Sequence, residues 1–324
     1  MARRRVLVIG STGFVGSRVV ARLTAPGRDD ADPVVRVLLH RRGVRQELVR
    51  SGAVETVRGD LAHPSTLRGI CDGVDTVLHL ASLIGGDQEE CRTVNDAGTR
   101  ALLAEAARAG VSRIVQLGTT AVYRDGVHRG AAEGELPFGP ASVTSVTRLA
   151  GERQVLAAGG VVVRPHLVFG PGDTWVVPSL VRLLTAVPHW VDGARARLSL
   201  IHVDDLAWAL TELAGRPALP SGSALHAAHP RPVRVRELLS AVAHGLALPQ
   251  PRGSVRSADA LELLGAGPDE AVWRRRLDSL TTDRWYDSSR LWQLLGSCPA
   301  EEFGARFADA LPWYRRHLPP DHPA

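Results

Sequence analysis

The chain predicts an α/β fold: a Rossmann-type doubly wound parallel sheet with a smaller, interleaved C-terminal substrate-binding subdomain. Three observations carry this expectation. The apolar run Val6-Leu7-Val8-Ile9 leads straight into Gly10-Ser11-Thr12-Gly13-Phe14-Val15-Gly16. Strand-like and helix-like runs then alternate through the first half, the order that builds a sheet covered on both faces. After Phe169-Gly170-Pro171-Gly172-Asp173 the alternation fades into short segments rich in Pro and Trp.

The first strand ends in a turn whose glycines at 10, 13 and 16 allow a tight bend, close approach of a pyrophosphate and helix-on-strand packing. The helix that follows, with Ser17–Leu23 as its amphipathic part, offers free N–H groups to a dianion. Val34–Leu39, Ala53–Arg58, Thr76–Leu80, Arg113–Gly118 and Val161–Val163 read as the next strands. Leu67–Cys71, Ala97–Ala109 and Ser145–Ala157 read as parts of the intervening helices, and Ser199–Leu210 as a strand and helix returning to the sheet. The expected division is 1–170 with 196–226 for the dinucleotide domain and 171–324 mostly for a substrate-binding subdomain. Ligands of such sheets lie beyond the carboxyl ends of the strands.

Composition narrows the function. The chain has 324 residues, a net charge of +5 and three widely spaced cysteines, Cys71, Cys91 and Cys298. No Cys-x-x-Cys or disulfide framework is indicated, and a reducing cytoplasm is expected. Arg3–Arg5 before an apolar run imitates a signal peptide, but the glycine loop interrupts that run at once. No stretch approaches the roughly 18 apolar residues of a membrane span. Basic residues are dispersed and not interleaved with aromatics, so nucleic acid is not an expected partner. His202, Asp204 and Asp205 imitate a metal set by spacing but read as a structural turn, so no metal is expected. Every Lys or Arg position is arginine, which with the abundant Ala, Gly and Val points to a GC-rich genome.

The second strand ends Leu39-His40-Arg41-Arg42, and no acid stands between Arg36 and Gln46. An acid here would accept from a ribose 2′-hydroxyl, whereas arginine suits a 2′-phosphate. NADPH/NADP+ is therefore expected over NADH. A charge-assisted contact to that phosphate is worth about 1.5–3 kcal/mol.

Further segments follow in order: Gly59-Asp60-Leu61, Leu78-His79-Leu80-Ala81-Ser82, Val94-Asn95-Asp96-Ala97-Gly98-Thr99, Ala121-Val122-Tyr123, Arg164-Pro165-His166 through Asp173, and His202-Val203-Asp204-Asp205-Leu206. With the opening loop, this set resembles the extended short-chain dehydrogenase/reductases, also called the NAD-dependent epimerase/dehydratase family. The resemblance implies that Gly10, Thr12, Gly13, Phe14, Val15 and Gly16 cradle the pyrophosphate. It implies that Asp60 and Leu61 hold the adenine, and that Leu80, Ala81 and Ser82 line the ribose and nicotinamide side. Asn95 would contact the cofactor from the next helix, and Pro165 with its neighbours would flank the nicotinamide. His166 is a further candidate there. Thr119 occupies the family's catalytic Ser/Thr position.

One departure matters more than the match. The family places Tyr-x-x-x-Lys on the helix after the Thr119 loop. Here Arg148-Leu149-Ala150-Gly151-Glu152 aligns with its Lys-Leu-Ala-Gly-Glu, so Thr144 replaces the tyrosine and Arg148 the lysine. No register shift restores the pair, because the chain has no lysine and no tyrosine between Tyr123 and Tyr286. Arg148 can still bond ribose hydroxyls but cannot shuttle a proton. Losing a general acid typically removes about 10²–10⁴ in rate, while proximity alone supplies about 7–11 kcal/mol.

Three readings stay open. The first is an atypical NADPH-dependent ketoreductase acting on an aromatic ketone that brings its own phenolic proton donor, with Thr119, Thr144 and Arg148 as the site. The lost pair resembles tailoring ketoreductases of actinomycete aromatic polyketides, the simocyclinone-type angucyclinone enzymes among them, which places the reaction in antibiotic biosynthesis. The second is a non-catalytic NADP(H)-binding regulator. The third is a nucleotide-sugar epimerase or dehydratase, with Arg195 and Arg197 meeting a diphosphate. His189, Trp175 and Trp190 could wall an aromatic ligand. A monomer or homodimer is expected.

Overall fold

The computed structural model describes residues 3–25, 33–41, 43–44, 46–265 and 267–318. The chain forms two compact units, one of Met1–Asp125, Leu136–Arg164 and Asp204–Ala227, the other of Gly126–Glu135, Pro165–Val203 and Ala228–Ala324.

The first unit is built on a seven-stranded sheet. Its strands are β1 (Arg5–Ile9), β2 (Val34–Leu39), β3 (Val54–Arg58), β4 (Thr76–His79), β5 (Arg113–Leu117), Val161–Pro165 and Ser223–Ala227. Across the sheet they lie in the order Ser223–Ala227, Val161–Pro165, β5, β4, β1, β2, β3. The pairs from Val161–Pro165 through to β3 are parallel. The order reverses between β1 and β4, which opens a crevice at their carboxyl ends. β4 and Val161–Pro165 are buried along their whole length, as expected of strands covered on both faces.

Helix α1 (Phe14–Leu23) buries Val15, Val19, Val20 and Leu23 at the helical period, which is why it lies flat on the sheet. After the short α2 (Gln46–Arg50), α3 (Gln88–Arg92) starts from Asp87, whose side chain and Glu90 form a reciprocal cap. A wider π turn, Thr93–Ala97, leads into α4 (Gly98–Arg108). Helix α5 (Val143–Ala157) is capped by Ser142, which accepts from the Ser145 N–H at 3.1 Å. Leu7, Ile9, Leu67, Val77 and Leu102 close one core of this unit.

The second unit holds a four-stranded sheet in the order Val233–Arg234, Arg197–Leu198, Arg284–Tyr286, His128–Ala131. Its core gathers the helices Val176–Ala186, Val235–Gly245, Glu270–Thr281 and Phe303–His317 around Leu184, Leu238, Trp273 and Phe307. Asp173 caps the first of these helices, accepting from the N–H groups of Trp175, Val176 and Val177.

Three features differ from the sequence expectation. Leu67–Cys71 is not a helix: a 3-10 turn, Pro64–Leu67, precedes it, and Gly69 at φ +84° turns the chain away. The strand Leu200–His202 pairs with Leu167–Phe169 in the second unit; the strand that returns to the large sheet is Ser223–Ala227. That pairing also moves the division. Residues 165–203 leave the first unit at Arg164, not at 170, and residues 126–135 join the second unit because His128–Ala131 pairs with Arg284–Tyr286. No described helix is long and apolar enough to cross a membrane.

Candidate active site

The loop between β1 and α1 is shaped by backbone alone. Gly10 sits at φ +86°, and a Cβ there would lie 2.7 Å from the Ala81 nitrogen on the neighbouring strand end. A Cβ on Gly16 would lie 1.9 Å from the Gly10 carbonyl oxygen. Gly13 starts α1 with no side-chain cap and no acid in the first turn, so its leading N–H groups are left for a ligand. Thr12, Phe14 and Val15 lie on the same turn. The Ser11 hydroxyl is buried with no hydrogen-bond partner among the described residues. A pyrophosphate fits such a cradle.

At the carboxyl ends of β2 and β3, Asp60 joins two histidines. One carboxylate oxygen lies 3.0 Å from His40 Nε2 and 2.8 Å from His63 Nδ1; the other accepts from the Ala62 N–H at 2.9 Å. Burial alone would raise the Asp60 pKa, but these hydrogen bonds and the His40 charge bring it below the ordinary carboxylate value. Leu61 is buried and Arg41 exposed. Arg42 lies outside the described residues.

Beyond β4, the Leu80 N–H donates to the Ile9 carbonyl at 2.8 Å, which keeps Leu80 and Ala81 beside the glycine loop; Ser82 follows half-buried. His79, the last residue of β4, lies 3.1 Å from the Thr99 hydroxyl and is fully buried; burial, then the Arg148 charge, lowers its pKa to about 4. Asn95, at 4% exposure in the π turn, turns inward. Its amide oxygen accepts from the Leu83 N–H at 2.8 Å, and its NH2 donates to the Leu83 carbonyl at 3.0 Å and the Thr147 hydroxyl at 3.1 Å. Asn95 thus fixes the loop after Ser82.

The end of β5 faces α5. The Thr119 hydroxyl accepts from the Ala121 N–H at 3.2 Å. The Thr144 hydroxyl accepts from the Gly85 N–H at 3.3 Å. Arg148 Nη2 donates to the Leu117 and Gly118 carbonyls at 3.1 and 2.8 Å. Burial lowers its pKa, opposed by the Glu152 charge. Glu152 and Arg164, which the sequence reading did not assign, pair at 2.8 Å with side chains 1% and 3% exposed. Burial pushes the Glu152 carboxyl up, against the pull of Arg164. Arg164 also donates to the Tyr123 hydroxyl at 3.0 Å, and that hydroxyl lies 2.7 Å from His226 Nε2. The signal for Glu152 was its place four residues after Arg148, on the same helical face.

In the second unit, Pro165 is buried and the His166 ring packs 5.5 Å from Tyr286. Burial, then the charges of Arg284 and His128, push the His166 pKa down to about 3, so it is no imidazolium donor at neutral pH. Trp175 is 54% exposed. A groove of about 740 Å³ is lined by Trp190, Asp192, Arg195, Arg236 and Ser254. The Arg236 guanidinium lies 4.4 Å over the Trp190 ring. Arg197 is exposed outside that lining, its N–H on Asp283 at 2.8 Å.

Residues 6–224 match the model of the NAD dependent epimerase/dehydratase family. A 4-hydroxy-2-methyl-3-oxo-4-farnesyl-3,4-dihydroquinoline-1-oxide ketoreductase of Stigmatella aurantiaca is 29% identical over 83% of this chain and 81% of its own. A 2-alkyl-3-oxoalkanoate reductase of Stenotrophomonas maltophilia is 26% identical over 87% of this chain and 91% of its own. Among solved structures, MoeE5 in complex with UDP-glucose and NAD superimposes with a TM-score of 0.73 at 26% identity, covering 97% of this chain and all of that one. With its glycine cradle and parallel sheet, the chain belongs to the NAD-dependent epimerase/dehydratase family, the extended short-chain dehydrogenase/reductases, and is by family a nicotinamide-dependent oxidoreductase.

Proposed function

We propose that the chain is an NADPH-dependent ketoreductase acting on an aromatic polyketide-type ketone, angucyclinone-like, in antibiotic biosynthesis. One observation carries this reading: the glycine cradle is intact, while Thr119, Thr144 and Arg148, which align with the family's catalytic positions, include no titrating acid. A substrate that reacts there has to bring its own proton donor. A ketone with a neighbouring phenol does so, since its internal hydrogen bond polarises the carbonyl and neutralises the developing alkoxide.

NADPH, when bound, supplies the hydride to the carbonyl carbon. Gly10–Gly16 would hold its pyrophosphate, and Arg41 with His40 would meet the 2′-phosphate. Thr119 and Thr144 orient the carbonyl oxygen. The oxygen takes its proton from the substrate phenol, which water then restores. The reductase names of two relatives support this chemistry. The enzyme works in the cytoplasm as a monomer or homodimer.

The test mixes the protein with NADPH and a peri-hydroxy anthraquinone or angucyclinone and follows the reduced-nicotinamide absorbance. Turnover is expected, and it drops about 100-fold or more when the phenol is methylated. No turnover across a broad panel of aromatic ketones overturns the reading in favour of a non-catalytic NADP(H)-binding protein. The UDP-glucose in the MoeE5 complex favours a second reading, a nucleotide-sugar substrate. Calorimetric titration with UDP-glucose tests it; the missing tyrosine weighs against it.

A further inference from the structure

Arg148 and Glu152 lie one turn apart on α5 and reach opposite ends of a single peptide unit. The Gly118 carbonyl accepts from Arg148 Nη2 at 2.8 Å, and the Thr119 N–H donates to Glu152 Oε1 at 3.2 Å. The i, i+4 spacing places both side chains on the face that meets β5. We infer that Arg148 and Glu152 form a clamp on the Gly118–Thr119 peptide and serve as positioning residues for the Thr119 hydroxyl.

The clamp is rigid because its acidic jaw cannot swing. The second Glu152 oxygen is held by Arg164 Nε at 2.8 Å, Arg164 by the Tyr123 hydroxyl, and that hydroxyl by His226. Space is as tight as the bonding. A Cβ on Gly118 would lie 2.4 Å from Glu152 Oε1 and 2.6 Å from Val162 Cγ1, so glycine is what lets the carboxylate reach the next N–H. Downstream of the clamp, the Thr119 hydroxyl already accepts from the Ala121 N–H at 3.2 Å. Its one proton is left to donate, which suits a carbonyl oxygen. Arg148 is thereby turned to protein backbone, in contrast to the ribose contact that its alignment with the family lysine implies.

The kinetic part of this inference rests on the ketoreductase reading; the clamp itself does not. Amide hydrogen exchange of residues 117–121, read by mass spectrometry, tests the clamp without turnover. In Arg148→Met, with Arg148→Gln as a second variant should the first not fold, exchange at Thr119 is expected to quicken at least tenfold. NADPH affinity should stay within about twofold. With an active ketone, kcat should fall at least tenfold at unchanged KM for NADPH, and Thr119→Val combined with Arg148→Met should be no slower than Thr119→Val alone. Unchanged exchange overturns the clamp, and a tenfold weaker NADPH affinity alongside it returns Arg148 to the ribose. Losses that multiply in the double variant overturn the link to Thr119. A wild-type protein inactive on every ketone, with exchange still quickened in the variant, sinks the ketoreductase reading and leaves the clamp standing.

Discussion

The β1–α1 loop and the junction of β5 with α5 fix their backbone by opposite means. The loop uses almost no side-chain chemistry: Gly10, Gly13 and Gly16 bring backbone against backbone and leave N–H groups uncapped. The junction is made of buried charge: Glu152, Arg164 and Arg148 hold backbone that would otherwise be free to move. The first arrangement breaks when atoms are added, the second when they are removed. The difference also shows where the family pattern can change. Backbone geometry admits few alternatives, whereas a charged side chain can be given a new partner, as Arg148 has been.

Removing Arg164 should be the harshest test of the buried-charge side. Arg164→Met leaves the Glu152 carboxylate uncompensated, and urea denaturation is expected to show a loss of about 3–5 kcal/mol. On the backbone side, Gly16→Ala should weaken NADPH binding about a hundredfold, or about 3 kcal/mol, in a fluorescence titration, because its Cβ would overlap the Gly10 carbonyl. Loss of Gly16→Ala binding without loss of fold would sharpen the contrast; wild-type affinity would break it.

The third test uses pH. Burial holds the His79 pKa at about 4, below the ordinary 6.5, so the unfolded chain binds the extra proton between those values. That contribution to stability is complete above pH 6.5 and declines as pH falls toward 4, by about 1.4 kcal/mol per pH unit. In His79→Asn, the stability lost between pH 7 and 5 should shrink by about 2 kcal/mol, measured by urea midpoints at the two pH values. The smallest effect belongs to the exposed rim. Arg41→Ala should weaken NADPH about tenfold, leave NADH unchanged and flatten the salt dependence of NADPH binding. Equal losses for both cofactors would show that Arg41 does not read the 2′-phosphate.

Much of the fold was legible because buried parallel strands are nearly continuous apolar runs, and β1 and β2 are such runs. Leu67–Cys71 misled for the same reason: Leu67, Ile70 and Cys71 are buried and helix-spaced, but the backbone around them is a turn fixed by Pro64 and Gly69. Leu200–His202 was recognisable as a strand, but nothing local says that Leu167–Phe169 is its partner. The glycine loop was legible because its constraint is local in sequence. The clamp was not, since the Gly118–Thr119 peptide and its two jaws lie about thirty residues apart. Asn95 sits between these cases: its segment was recognisable, but its bonds to Leu83 and Thr147 need the folded π turn.

Arg148 keeps its charge at every pH the protein survives, the threonine hydroxyls do not ionise, and His79 stays neutral above about pH 4. On the ketoreductase reading, Thr119, Thr144, Arg148 and His79 therefore keep one protonation state between mild acid and mild alkali, and Glu152, its carboxyl pushed up by burial, is the group whose titration moves up toward the acid end of that range. The alkaline limb of the pH–rate profile then carries the signature of the molecule being reduced, and it moves with the acidity of the phenol from one substrate to the next.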